Sequence, residues 1–222
     1  MSCQLHKALL RYYKQLHSLY DEWLKISKEI NISLTALTDQ KTALRLISDD
    51  ADYDEVDIDE ELRHRLMFNI LMVLDEEQDH LFKVMLQFNH IIQDLANLFH
   101  NMIQARSKVS VIDEEMRLLI KGSHCRPKLD LLMQWATKSL EYFNKLYHCI
   151  NSEVKLLDCN KMKTVDKVRV ALKEADKERI TIKKILAHTQ YMIDEEFLRV
   201  KHKEPSIQKI IDPTMLQKVT EQ

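Results

Sequence analysis

The stretch "LDLLMQWATKSLEYFNKLYHCINSEVKLL", residues 129–157, places Leu129, Met133, Ala136, Leu140, Phe143, Tyr147, Ile150, Val154 and Leu157 at alternating steps of four and three. That alternation returns an apolar side chain to one helix face with a period of about 3.5 residues, the seam of a supercoiled helix. The pattern stops near "DCN", where Asn160 tolerates the left-handed conformation that ends a helix.

The same period runs outward in both directions. Before it, Leu5, Leu9, Tyr12, Leu16, Leu19, Trp23, Ile26 and Ile30 define a first helix. Ser33 breaks the seam, and Leu34, Leu37 and Leu44 resume it one residue out of step, a stutter that long helices tolerate. At 1.5 Å per residue the helix is about 60 Å long. A second helix starts at Leu62, Leu66, Ile70 and Val73, and Leu81, Val84, Phe88, Ile91, Leu95, Leu98, Met102 and Ala105 continue it past the acidic patch 75–79. Within the connector 106–127, Ser110 with Asp113 three places on caps a short helix ending near Gly122. A fourth long helix follows through Val165, Val168, Leu172, Ala175, Ile182, Leu186 and Ile193, with the polar residues Arg179 and Thr189 at two seam places. The expected fold is therefore all-α, an elongated antiparallel bundle of about four long helices with coiled-coil-like packing. It occupies residues 1–198, and 199–222 form a tail that frays or docks a partner.

Composition narrows the function. One Gly and three Pro in 222 residues leave few places for the positive-φ turns of hairpins, dinucleotide crossovers or phosphate loops. Most enzyme scaffolds are disfavoured on that ground. Cys3, Cys125, Cys149 and Cys159 have no C-x-x-C spacing and read as free thiols of a reducing compartment. The most apolar run, "LMFNILMVL" at 66–74, is about half a membrane span, so no transmembrane helix is expected. The first twenty residues lack acids, as a mitochondrial presequence does, but their apolar spacing continues into the helix that follows.

The acidic hinge 48–61, "SDDADYDEVDIDEE", raises the question of calcium. Asp50, Asp52, Asp54 and Glu61 occupy the first, third, fifth and twelfth places of an EF-hand loop. Glu55 stands where that loop needs Gly, and Asp57 where it takes an apolar residue, so a solvated linker is the reading preferred over a metal site. A di-iron centre is also disfavoured, because the pairs Glu61/His64 and Glu77/His80 share one helix. His124 with Cys125, and His148 with Cys149, are sequence neighbours and diverge on a helix. No Ser or Cys sits on a Gly-rich elbow that would activate it. No catalytic, cofactor or metal residue is therefore expected.

Residues 161–184 hold nine bases against four acids, a surplus of five, which suits an accessory contact with phosphate. No aromatic residue is interleaved there for stacking on bases. Ser48, before "DDAD", and Ser110, before "VIDEE", are candidate acidophilic phosphosites.

Three segments carry a resemblance to a known family: "LYDEWLKI" with Trp23, "LDLLMQWATKSLEYFNKLY" with Trp135, Tyr142, Phe143 and Tyr147, and "VALKEADKERITIKKILAHTQYMIDEEF". In order and spacing over residues 5–197 the chain resembles the AIRIM family of ribosome maturation factors, also described as casein kinase substrates, which partner AAA+ ATPases of the valosin-containing-protein type. The resemblance implies a non-enzymatic adaptor, shared between cytoplasm and nucleus. It would pair with a sister helical adaptor, the cyclin-dependent-kinase-interacting protein, and bring the ATPase to late pre-60S particles and to chromatin-bound replication complexes. The alternative from another class is a structural coiled-coil subunit of a tether, kinetochore or microtubule assembly, or of the cyclin-dependent-kinase-interacting type. Trp23, Trp135, Tyr142, Phe143 and Tyr147 are the candidate partner-binding residues, because large rings dominate interface energetics. The uneven helix lengths add a physical expectation: the first two helices outrun the others and leave part of their seam without an internal partner.

Overall fold

The computed structural model describes residues 2–48, 59–110, 114–123, 126–157, 162–173 and 176–203. These residues form an all-α bundle. In chain order the helices are α1 (Ser2–Ser48), α2 (Glu60–Ser107), α3 (Glu114–Lys121), α4 (Leu129–Lys155), α5 (Met162–Leu172) and α6 (Asp176–Lys203). Among the described residues no helix is long and apolar enough to cross a membrane.

Side-chain pairs give the direction of each helix. Tyr12 meets Phe99 with ring centroids 6.1 Å apart, and Trp23 stacks on Phe88 at 4.8 Å, so numbers rise along α1 as they fall along α2. His17 meets Thr189, and Thr38 meets Arg169, so α5 and α6 together make one return course along α1. Trp135 stacks on His188 and Lys145 pairs with Glu178, which sets α4 against α6 in the same antiparallel sense. The outcome is four courses running up, down, up and down, with α1 and α4 parallel across the diagonal. The α3 helix packs on α1 and α4 at one end.

The α1 seam is buried as its spacing predicts, from Leu5 through Ile30, and Ser33, Leu34 and Leu37 are buried too. Ser33 is therefore a small buried residue inside the seam and marks no interruption of the helix, which runs unbroken from Ser2 to Ser48. In α4 the buried set is Leu129, Leu132, Ala136, Ser139, Tyr142, Phe143, Leu146, Ile150 and Val154. Met133, Leu140 and Tyr147, on the predicted seam, are only half-buried. A two-helix seam has a single centre, whereas α4 packs between α2 on one side and α5 and α6 on the other, which widens and rotates its apolar stripe.

The expected fourth long helix is two helices. Lys173 donates its N–H to the Val170 carbonyl at 3.1 Å in a turn after α5, and α6 begins at Asp176. Between Leu172 and Ile182 the sequence offers Ala175 and Ile180 as its only apolar residues, and Ile180 is exposed. Few apolar side chains are available in that stretch to hold a continuous helix by burial. Arg179, expected on the seam, is exposed, while Thr189 is buried. The Thr189 hydroxyl lies 3.1 Å from His17 Nε2 and donates to the Ile185 carbonyl at 2.8 Å, which fixes the register of α6 on α1. Ala175 lies outside the described residues.

The α3 helix ends as its sequence predicts. Gly122 takes φ 73° and donates its N–H to the Leu118 carbonyl at 3.2 Å, and Ser123 and Arg126 exchange backbone hydrogen bonds in the turn that follows. A Cβ at Gly122 would stand 2.9 Å from the Arg126 carbonyl oxygen. Gly122→Ala is expected to destabilise the chain by about 1–2 kcal/mol, from left-handed strain and from that clash. Urea denaturation followed by circular dichroism measures it.

Candidate partner-binding surface

The predicted aromatic residues divide between core and rim. Trp23 is 1% exposed and lies on Phe88, whose ring meets the edge of Tyr147 at 6.1 Å. Phe143 is fully buried, with Tyr142 edge-on to it at 5.0 Å. Trp135 is half-buried and bridges α4 to α6 through its stack on His188 at 5.5 Å. Trp23 and Phe143 thus offer a partner nothing in the folded chain, which corrects the expectation that they form a docking surface: α1 and α4 turn these places inward. Tyr142 is buried but lines a groove of about 460 Å³ between α4 and α6, beside Lys145, Glu178 and Thr181. Glu178 holds the Lys145 ammonium above its usual value through a hydrogen bond of 2.8 Å.

Two tyrosines do more than their spacing announced. Tyr12 donates its hydroxyl to the Ala136 carbonyl at 2.7 Å, and Tyr13 donates to the Leu132 carbonyl. Both hydroxyls reach the backbone of α4 across the diagonal and pin α1 to it. Burial pushes both phenols well above their ordinary value of 10.0, and the neighbouring Tyr12 adds to the effect on Tyr13. A raised folded-state value means that the neutral phenol is favoured by folding. The associated stability is therefore complete below pH 10 and falls as pH rises beyond it. Alkaline unfolding above about pH 10 is expected, and replacing both residues by Phe should flatten that limb of the pH–stability curve.

Ser48 is the last residue of α1, exposed, and donates its hydroxyl to the Leu44 carbonyl at 2.7 Å. Ser110, the expected N-cap, is exposed ahead of α3, and its expected capping partner Asp113 lies with 111–112 outside the described residues. Most of the acidic hinge, 49–58, is likewise outside them. Glu61, at the twelfth place of the disfavoured calcium loop, sits in the first turn of α2 and pairs with Arg65 four residues on. Among the described residues no three His, Cys, Asp or Glu side chains gather where a metal ion would bind. Cys149 is an exposed free thiol. The Glu61/His64 and Glu77/His80 pairs lie along α2 alone. Part of the basic segment is structural: Arg169 donates to the Thr38 hydroxyl at 3.1 Å and to the Leu34 carbonyl at 3.4 Å, tying α5 to α1.

Among the described residues, a surface left uncovered lies at the far end of the first two helices. Tyr147 is level with Phe88 and Trp23, and α4 ends eight residues later at Lys155, about 12 Å beyond. From the same level α1 continues to Ser48, about 37 Å further, alongside the start of α2. The α5 helix packs on this part of α1, and among the described residues it does not pack on α2. Leu62 and Leu66, which begin the α2 seam, are therefore left 50% and 38% exposed, while Ile70 and Leu74 beyond them are buried. Uneven helix lengths announce this surplus in general terms but not its place, because a missing neighbour is invisible in one chain.

Comparison with known proteins finds no matching family model, no similar curated protein and no similar solved structure.

Proposed function

We propose that the chain is a non-enzymatic adaptor subunit, joining an AAA+ ATPase of the valosin-containing-protein type to its partners in late cytoplasmic pre-60S maturation. The same role would extend to replication complexes on chromatin in the nucleus. The observation that carries the adaptor reading is the uncovered seam at Leu62 and Leu66, where two helices outrun the course that would seal them. An unsealed apolar stripe on a chain whose core is otherwise well packed is a surface for another protein. The choice of ATPase rests on the resemblance carried by Trp23, by Trp135 to Tyr147, and by the segment 170–197.

In this role the chain supplies binding free energy and spacing, and the ATPase supplies the work. A sister helical adaptor is the partner suited to the Leu62/Leu66 seam, since a helix laid there completes the missing course. Any phosphate contact by the basic α5 and α6 segments is accessory. Purification of the tagged full chain from cells tests the proposal: co-recovery of the ATPase and 60S precursors supports it. Recovery of tether or kinetochore subunits without an ATPase rejects it in favour of a structural coiled-coil subunit, the reading that the length of α1 and α2 also fits.

A further inference from the structure

The outward face of α2 carries a second apolar feature, separate from the uncovered seam. Phe68, Met72, Asp75, Asp79, Phe82 and Leu86 succeed one another at steps of four, three, four, three and four. They share a strip within about 80° of the helix circumference, roughly half a turn from the face that packs on α1. Phe68 is 63% exposed and Leu86 57%, and both aspartates are exposed. In heptad layers the strip reads apolar, acidic, apolar, over about 27 Å.

The acidic layer discriminates among occupants. A second copy laid antiparallel would match Phe68 to Leu86 and Met72 to Phe82, because the strip is symmetric about residue 77. The same symmetry sets Asp75 against Asp79 at the centre, and parallel pairing sets each aspartate against its equivalent. Like charges brought together across an interface oppose association. A lipid surface would draw the apolar groups to the acyl boundary and carry the carboxylates with them, towards headgroups that are often anionic. A helix bearing bases at its middle layer meets both requirements.

We propose that this face docks an amphipathic partner helix of about 18 residues, whose apolar side is crossed by one layer of Lys or Arg seated against Asp75 and Asp79. The apolar layers give area, and the charged layer sets register and excludes self-pairing. The inference rests on the adaptor reading and deepens it by stating the chemistry of one partner.

The test uses the full chain and two model amphipathic peptides of about three heptads, identical except for Lys or Glu in the central layer. Fluorescence anisotropy should show the Lys peptide binding at least about tenfold more tightly, with the difference shrinking as salt is raised. The double variant Asp75→Lys with Asp79→Lys should reverse the order, with circular dichroism verifying that it remains helical. Equal binding of both peptides, binding of neither, or a preference unchanged by the charge reversal overturns the proposal. So does a wild-type dimer in light scattering that Phe82→Ser dissolves, which would identify a second copy as the occupant. Tighter peptide binding after deletion of 204–222 would identify that segment as the occupant and overturn it equally. Neither peptide reports on the ATPase, so a failure here leaves the co-purification result standing. Loss of co-purification with intact peptide discrimination would count against the adaptor reading alone.

Discussion

Trp23→Ala destabilises the chain by about 3–5 kcal/mol, a large share of the stability of a typical domain. The ring is 1% exposed and stacked on Phe88, which in turn touches Tyr147, so its removal strips contacts from α1, α2 and α4 together. The void left behind sits where three courses meet, and helices pinned on both sides of that level relax little into it. Tyr12 and Tyr13 hold α1 to α4 toward one end, and Arg169 holds α1 to α5 toward the other. Trp135→Ala is the internal control: that ring is half-buried, so its loss costs less. Urea unfolding monitored by circular dichroism gives both values. A cost at Trp23 below about 1 kcal/mol would mean that the three-course junction is not packed as described.

Leu62→Asp combined with Leu66→Asp has the largest effect expected on binding. These side chains are half-exposed already, so the change leaves folding stability within about 1 kcal/mol of the wild type. In a complex the same positions would carry two carboxylates into an apolar seam, a burial that charged groups resist strongly without partners. Recovery of the proposed ATPase complex should fall by about a hundredfold or more. The measurement is quantitative co-purification of wild type and variant at matched expression. Undiminished recovery with a correctly folded variant would remove the uncovered seam from the proposal.

Much of the architecture was legible because helical period is a property of one chain. The α1 seam reads directly from Leu5 to Ile30, and the end of α3 was visible in its one glycine. The α4 seam was displaced because the buried face of a helix depends on how many neighbours it has. The break between α5 and α6 was hidden because no Gly or Pro marks it, only a weakening of apolar content after Leu172. The candidate surface was the least legible part. Trp23 and Leu62 both occupy seam positions, and what separates a sealed ring from an open leucine is where α4 stops relative to its neighbours. The outward strip was missed for a related reason. A search for one seam per helix passes over a second stripe on the opposite side, although Phe68, Met72, Phe82 and Leu86 keep the same spacing.

The unequal lengths of the courses also grade cohesion along the molecule. Around Trp23 the ring stack on Phe88 and the contact of Phe88 with Tyr147 join α1, α2 and α4, so backbone amides there are expected to be among the last to open. Toward Leu62, among the described residues, the same α2 helix leans on α1 alone, so its first turns are expected to fray at lower free energy. An incoming helix at that end must quench this fraying as it binds, which trades part of its contact energy for order and favours an association that readily reverses.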